Sequence, residues 1–287
     1  MSLRRITFWT VFWIAISLLF NAGIYVMMGP AKAMEFLAGY VIEKSLSIDN
    51  LFIFLMIFSY FGIESKYQRR VLNFGIAAAI VLRFVLIIVG ITIVHEFHWI
   101  LYIVGLTLVY SSSKIVFGKE RKIDPSQSTM LKYVRKVIPI TDQLHKEHFF
   151  VKIKGRLHAT PLFVILILVE STDLIFAMDS IPAIFAVTTD TFIVYSSNIL
   201  AILGLRSLYF FLERMQDLFI FVKHGVGAIL FLAGLKLILP LFNMKIPTSL
   251  ALILILVILV GSILLSIIVK KRQMMLLKNA DKTNATA

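Results

Sequence analysis

Long apolar stretches alternate with short polar ones along the chain, and eight of them approach the roughly 20 residues that cross a bilayer as a helix. These stretches cover about residues 7–28, 36–61, 71–94, 99–117, 161–187, 192–212, 219–239 and 248–269. Helices satisfy their own backbone hydrogen bonds, as a segment inside lipid must. The pattern therefore predicts an all-α polytopic membrane protein with about eight transmembrane helices.

One long polar segment, about residues 118–160, divides the apolar stretches into two groups. We predict a single membrane domain over 1–287, with a first repeat at about 36–117 and a second at about 161–239. The stretches at 7–28 and 248–269 are extra helices outside the repeats. Within the polar segment, Met130–Ile140 has the pattern of a short amphipathic helix at the membrane surface.

Composition agrees with this reading, since 59% of residues are hydrophobic, 16% are charged and the mean hydropathy is +0.91. A soluble domain has about a quarter charged residues. Cysteine is absent, which removes disulfides, thiolate metal ligands and a cysteine nucleophile. No phosphate-binding loop, serine hydrolase elbow, zinc protease motif or dinucleotide fingerprint occurs, so we do not expect an enzyme.

The distribution of basic residues predicts the orientation. Placing the N-terminus inside puts 22 Lys and Arg residues in the inner segments and two, Lys32 and Lys245, outside. The positive-inside rule then predicts that both termini are cytoplasmic, in an inner or plasma membrane. The net charge of +13 is thus a signal of topology. It predicts the lipid bilayer, and no nucleic acid, as a partner.

Two acidic octets recur inside predicted spans. Glu43 to Asn50 reads Glu-Lys-Ser-Leu-Ser-Ile-Asp-Asn, and Asp173 to Ser180 reads Asp-Leu-Ile-Phe-Ala-Met-Asp-Ser. In each, an acid is followed six residues later by Asp and then by a small polar residue. A carboxylate in lipid costs roughly 2.5–3.5 kcal/mol on insertion scales. Repeating this costly pattern predicts one site built from two related halves.

Each octet begins a group of three spans, and because three is odd the two groups should be inverted relative to each other. An arginine follows in the next span of each group, Arg83 in the first and Arg206 in the second. We interpret both arginines as internal counter-ions. Inverted repeats with a site at their midplane interface are a common transporter design.

Helical geometry separates the polar residues of each octet. Residues on one face are Glu43, Ser47 and Asn50 in the first, and Glu170, Asp173, Ala177 and Ser180 in the second. Asp49 and Asp179 fall off these faces. Either the helices break near each Asp, or each Asp faces a different neighbour. Pro182 favours a break in the second helix, because proline removes a backbone donor.

Oxygen ligands dominate these octets. The predicted metal ligands are Glu43, Asp49, Asn50, Glu170, Asp173 and Asp179, with Ser47 and Ser180 as neutral donors. Such ligands suit Mn²⁺, Mg²⁺ or Ca²⁺. A thioether from Met178 would shift the preference towards Mn²⁺. Alternatively, the acids form structural salt bridges with Lys44, Arg83 and Arg206, although five acids outnumber three bases.

The polar segment holds another metal candidate. His145 and His148, with Asp142 and His158, have side chains that bind regulatory metals. An ordinary solvated loop explains the same residues, and we prefer that interpretation.

Several longer motifs resemble the TerC family, the tellurium-resistance TerC and Alx-like group of integral membrane proteins. They are Glu43-Lys-Ser-Leu-Ser-Ile-Asp-Asn-Leu-Phe, Ala159-Thr-Pro-Leu-Phe, Val169-Glu-Ser-Thr-Asp-Leu-Ile-Phe-Ala-Met-Asp-Ser-Ile-Pro-Ala-Ile and Ser197-Asn-Ile-Leu-Ala-Ile-Leu-Gly-Leu-Arg-Ser-Leu-Tyr. The resemblance covers about residues 35–240. It implies manganese homeostasis and a relationship to LysE-type exporters, and it adds Asn198 and Arg206 to the functional residues.

We therefore expect export of Mn²⁺ from the cytoplasm by alternating access, driven by proton exchange or by the ion's own gradient. The cation is cargo, and no prosthetic group is expected. A homo-oligomer is left open. Two alternatives remain: a membrane scaffold or assembly factor without transport, as some plastid relatives suggest, and a LysE-like exporter of cationic organic solutes. An acidic site would repel a tellurite oxyanion.

Overall fold

The computed structural model describes residues 3–117, 139–141, 148–153, 155–215 and 221–284, and these form helices joined by short connections. The nine α-helices in this part of the chain are α1 Leu3–Met28, α2 Pro30–Tyr60, α3 Ser65–Glu96, α4 Ile100–Phe117, α5 Pro161–Phe185, α6 Thr191–Leu203, α7 Leu205–Met215, α8 Val222–Ile238 and α9 Thr248–Asn284. Two short strands, β1 Phe150–Ile153 and β2 Arg156–Ala159, pair as an antiparallel hairpin before α5. A 3₁₀ turn, Leu239–Phe242, follows α8.

The prediction of an all-α polytopic membrane protein is confirmed. Six of the described helices are long and apolar enough to cross a membrane: α1, α3, α4, α5, α8 with its 3₁₀ turn, and α9. The pair α6 and α7, bent by 44° at Gly204, would make a seventh span. Helix α2 has 31 residues but is not among these six, and it carries Glu43, Lys44 and Asp49 in its middle. The number eight stays a prediction.

The two groups of helices contact each other in a reciprocal way. The first group is α2, α3 and α4, and the second is α5, the bent pair α6/α7, and α8. Helix α2 packs on α6, α3 packs on α5, α2 packs on α5, and α4 packs on α8. If α2 is exchanged with α5, α3 with the pair α6/α7, and α4 with α8, the same set of contacts results. The inverted repeat itself stays a prediction, but this is the arrangement that it would produce.

Helices α4 and α8 approach closely because each has a glycine at their contact. A Cβ atom on Gly105 would lie 2.9 Å from the carbonyl oxygen of Gly234, and one on Gly234 would lie 2.7 Å from that of Gly105. Larger residues would force the backbones apart. Close packing of small residues stabilises helix pairs in lipid, where apolar side chains gain little by leaving the solvent.

The predicted helix break near Pro182 is wrong. Helix α5 continues through Asp179 and Pro182 to Phe185, so the proline lies in its last turn. There the loss of one backbone hydrogen bond and the steric clash of the ring affect only the end of the helix. Helix α2 likewise continues through Asp49. Of the predicted linker, 118–138, 142–147 and 154 lie outside the described residues, and these include most of the amphipathic segment, Asp142 and His145.

Candidate functional site

Four helices each place one polar side chain at a buried point between the two groups. Arg83 of α3 is 1% exposed and donates to Glu43 of α2. Its Nη2 lies 3.1 Å from Oδ1 of Asp173 on α5, and its Nη1 lies 3.0 Å from Oδ1 of Asn198 on α6. We call these four residues the central cluster.

Neutral side chains complete the surroundings of the two carboxylates. Asn50 Nδ2 donates to Asp173 Oδ1 at 3.3 Å, and Ser47 Oγ donates to Glu43 Oε1 at 3.2 Å. Asn198 Nδ2 donates to Glu43 Oε2 at 3.2 Å. The helical face predicted for Glu43, Ser47 and Asn50 is therefore the buried face, and it meets Asp173 of the second octet.

The central cluster contains two acids and one base. One guanidinium, which stays protonated in proteins, faces two carboxylates, Glu43 and Asp173. Both acids are removed from water, with Glu43 0% and Asp173 6% exposed. Desolvating three charged groups is costly, and the mutual hydrogen bonds offset that cost only while all partners remain. When both acids are ionised, this ion-pair network carries more negative than positive charge.

Glu170 lies one helical turn before Asp173, beside a cavity of about 20 Å³ that both residues line. A volume of this size holds about one water. Glu170 Oε2 is buried and has no hydrogen-bond partner among the described residues. This carboxylate is therefore next to the central cluster but not paired within it.

Gly75 of α3 makes room for Glu170. A Cβ atom at Gly75 would lie 2.8 Å from Glu170 Oε1, closer than real contacts allow. Sequence reasoning missed this glycine, because a single glycine in an apolar span usually reflects only helix packing. Its position opposite an acid could be recognised only from the three-dimensional arrangement.

Asp179 faces a different part of the molecule. Its Oδ1 accepts a hydrogen bond from Ser111 of α4 at 3.2 Å. Of the two explanations left open by helical geometry, a different neighbour holds for Asp179. Ser111 was not predicted as part of any site. The side chain of Asp49 lies outside the described residues.

The remaining predicted residues separate into those near the site and those away from it. Ser180 is buried, and its Oγ has no hydrogen-bond partner among the described residues. Met178 is 69% exposed on the outside of the helix bundle, so its thioether does not face the central cluster. Arg206 is also exposed, and its Nη1 donates to Asn73 at 2.7 Å. The structure does not bring Arg206 to the acids.

The three predicted bases therefore behave differently. Arg83 pairs with two acids, as the salt-bridge interpretation expects. Lys44 Nζ instead donates to the backbone oxygen of Ala201 at 2.9 Å, and Arg206 bonds to an amide. The octets are joined by one arginine rather than by three separate salt bridges.

A second ionic contact between the two groups lies at the start of α2 and α6. Lys32 Nζ is 2.8 Å from Asp190 Oδ2 and 3.0 Å from Glu35 Oε2. The hydrogen bond to Asp190 is the main reason why the pKa of Lys32 is raised. Burial alone would raise the pKa of Asp190, but hydrogen bonds from Lys32 and from the backbone of Ile193 and Phe192 outweigh it and lower the pKa.

Comparison with known proteins identifies the family. The sequence profile described as the Integral membrane protein TerC family matches residues 28–274. The chain belongs to the TerC family. A TerC-family relative from Photorhabdus laumondii, named putative membrane-bound redox modulator Alx, is 44% identical over 259 residues, covering 87% of this chain and 81% of the relative. No solved structure matches the chain.

Other relatives come from different kinds of organism. The protein of the same name from Escherichia coli strain K12 is 41% identical over 262 residues, or 88% of this chain and 82% of the relative. A thylakoid membrane protein named TERC, chloroplastic, from Arabidopsis thaliana is 41% identical over 230 residues, or 80% of this chain and 60% of the relative. The family resemblance predicted from the motifs is confirmed.

Proposed function

We propose that this protein transports a divalent metal cation, with Mn²⁺ favoured, through the central cluster. The observation that supports this proposal is the meeting of Glu43 and Asp173, one from each octet, at one buried point. The amide oxygens of Asn198 and Asn50 and the hydroxyl of Ser47 are neutral oxygen atoms of the same buried region. Carboxylate, amide and hydroxyl oxygens are ligands that hard divalent cations prefer.

Arg83 determines how a cation would enter. In this conformation its guanidinium occupies the place between Glu43 and Asp173, and no group of three metal-binding side chains is formed among the described residues. A cation must therefore displace Arg83 from at least one of its acids. We propose that Arg83 acts as a resident counter-ion that covers the site between transport cycles.

Glu170 gives the displaced arginine a new partner. Its carboxylate lies one turn from Asp173, with one oxygen unpaired and a small cavity beside it. When ionised, the three carboxylates of Glu43, Asp173 and Glu170 balance one guanidinium and one divalent cation. A site loaded in this way would carry no net charge, which lowers the cost of holding it within the membrane.

Direction and energy source are further parts of the proposal. The predicted orientation, with Lys and Arg concentrated inside, places both termini in the cytoplasm. Export from the cytoplasm is the direction that the resemblance to the TerC family implies. Alternating access would move the two groups of helices relative to each other around the central cluster. Exchange for protons and flow down the ion's own gradient are both compatible with these residues.

One observation favours a second candidate, a membrane scaffold without transport. The ion pairs of Arg83 satisfy Glu43 and Asp173 as they stand, so the network would also serve to hold four helices together. A cationic organic solute fits less well, because the cavity beside the cluster, at about 20 Å³, is smaller than an amino acid. Thiol chemistry by this chain itself is excluded, since it has no cysteine.

The two candidates differ in a flux measurement on the purified, full-length protein. In liposomes that contain a dye quenched by Mn²⁺, we expect the parent protein to admit Mn²⁺. Glu43→Gln and Asp173→Asn should each reduce the rate at least about tenfold, since each removes a ligand charge. Glu64→Gln, a change of the same kind at an exposed position, should retain the parent rate.

Each contrary result has a distinct meaning. A parent protein that moves no Mn²⁺, although it is folded and correctly inserted, would favour the scaffold. Parent rates in both variants would show that transport does not use the central cluster. Competition by Mg²⁺ and Ca²⁺ in the same assay measures the preference for Mn²⁺.

A further inference from the structure

A second and larger cavity lies away from the central cluster, between α1, α3, α6 and α7. Its volume is about 190 Å³. Trp9, Trp13 and Phe210 form much of its apolar wall, and Asn73, Arg206 and Ser207 supply its polar groups. We call it the Arg206 crevice. It combines an aromatic surface with a single cationic group.

The charge of the crevice is positive. Arg206 is the only charged residue among those that line it, and Asn73 is the only described residue that accepts a hydrogen bond from its guanidinium. Arginine has five N–H donors in a fork that matches phosphate oxygens. The crevice therefore suits an anion with several oxygen atoms, and it would repel a metal cation.

A second basic group, Lys44, lies next to the crevice, beside Gly204 and Trp13. A Cβ atom at Gly204 would lie 2.7 Å from Lys44 Nζ and 3.2 Å from Trp13 Cβ. The ammonium group and the indole thus contact the same point of the α6–α7 bend. Arg4 and Arg5, both exposed, lie one to two turns before Trp9 on α1.

The location of the crevice indicates which kind of anion it would bind. Its walls are helices long and apolar enough to lie in the bilayer, and tryptophan is enriched where lipid headgroups meet acyl chains. Basic pockets between transmembrane helices bind the headgroups of anionic lipids. A free phosphate ion would use Arg206 but would leave the aromatic wall without a role.

We propose that the Arg206 crevice binds an anionic phospholipid, with the phosphate on Arg206 and the first part of an acyl chain against Trp9 and Trp13. This assignment explains why Arg206 lies outside the acidic cluster. It does not depend on metal transport, because it rests on different residues and a different cavity.

Tryptophan fluorescence tests the proposal directly. The chain has three tryptophans, Trp9, Trp13 and Trp99, so Trp99→Phe leaves only the two in the crevice. This protein is placed in nanodiscs of phosphatidylcholine and phosphatidylglycerol, with brominated chains on one lipid or the other at equal mole fraction. We expect brominated phosphatidylglycerol to quench more strongly, with an apparent preference of about fivefold.

Arg206→Gln in the same background should abolish the preference, whereas Arg272→Gln, at an exposed position of α9, should keep it. Arg206→Lys, which keeps the charge but loses the fork, should retain part of it. This variant and the parent measurement remain informative if Arg206→Gln does not fold.

Three results would overturn the proposal. They are equal quenching by the two lipids in the parent, an unchanged preference in well-folded Arg206→Gln, and loss of the preference when inorganic phosphate is added. The last result would identify a free phosphate ion, rather than a lipid, as the ligand.

Discussion

Asp173 and Asp179 belong to the same octet, six residues apart on one helix, yet the structure gives them different partners. Asp173 is buried against Arg83 and Asn50 between the two groups of helices. Asp179 lies on another face of α5, half-buried, and accepts from Ser111 of α4. Two acids that look equivalent in the sequence therefore have different hydrogen-bond donors, an arginine and an amide for Asp173 and a serine hydroxyl for Asp179.

Helical geometry explains the difference. Six residues correspond to about 600° of rotation, so the two side chains point in directions about 120° apart. Asp173 instead corresponds to Glu43, the first acid of the other octet, and both reach the guanidinium of Arg83. The first acid of each octet therefore builds the central cluster.

The largest effect is expected for Arg83→Gln. Removing this charge leaves two buried carboxylates without their cation, which costs about 3–5 kcal/mol when one partner of a buried pair is lost. We expect a marked fall in the midpoint of thermal unfolding in detergent. Added Mn²⁺ should raise the midpoint of the variant by more than it raises that of the parent. Ligands stabilise the state that binds them.

Arg272→Gln is the matched control for that experiment, because this arginine is exposed. Equal stabilisation of parent and Arg83→Gln by Mn²⁺ would show that Arg83 and the cation do not compete. An unchanged midpoint in Arg83→Gln without Mn²⁺ would show that the ion pairs contribute nothing.

A smaller effect is expected for Gly75→Ala. The new methyl group would meet Glu170 Oε1 at 2.8 Å, so Glu170 must shift from the place where Arg83 is proposed to meet it. We expect the rate of Mn²⁺ transport to fall about tenfold, or about 1.4 kcal/mol in activation free energy. Ala is also a better helix former than Gly, so a decrease in rate without a fall in stability is the distinguishing result.

Gly23→Ala serves as the control, since a Cβ atom there would meet nothing within 4 Å. If Gly75→Ala transports Mn²⁺ at the parent rate, the position of Glu170 beside Gly75 does not control the rate.

Asp179→Asn should change transport much less than Asp173→Asn. The amide oxygen can still accept from Ser111, so the contact between α4 and α5 persists at a cost of about 1 kcal/mol. We expect the Mn²⁺ rate to stay within about fivefold of the parent. A loss as large as that of Asp173→Asn would place Asp179 in the cation path, as the sequence alone predicted.

The smallest effect is expected at the ionic contact outside the central cluster. Asp190→Asn keeps an N-cap for α6 but loses the ion pair with Lys32, which at partly exposed positions contributes at most about 1 kcal/mol. The lowered pKa of Asp190 makes its contribution present above about pH 4 and lost as the pH falls. The raised pKa of Lys32 makes its contribution present below about pH 10 and lost as the pH rises.

Between about pH 5 and 9 the difference in thermal midpoint between parent and Asp190→Asn should therefore be constant, and it should shrink below about pH 4. A difference that varies steeply near neutral pH would contradict this assignment of charges.

The sequence predicted much of this arrangement because helix periodicity and hydrophobic length are local properties. The helical face with Glu43, Ser47 and Asn50 followed from the 3.6-residue repeat, and the family followed from motifs within single helices. Arg83 could be proposed as a counter-ion because a buried arginine in lipid needs acids nearby.

Contacts between distant helices were beyond the sequence. Arg206 and Arg83 have similar places in the two groups, yet the bend at Gly204 places Arg206 beside Asn73. The role of Gly75 depends on the position of Glu170, which lies on another helix. Pro182 was misjudged because its effect depends on whether the helix would have continued beyond it.

The most direct test is to locate Mn²⁺ by anomalous scattering in crystals of the protein soaked with the ion. We expect a peak within ligand distance of Glu43 and Asp173, with the guanidinium of Arg83 moved towards Glu170. A peak beside Asp179 and Ser111, or occupied Mn²⁺ sites elsewhere with Arg83 still between its two acids, would contradict it.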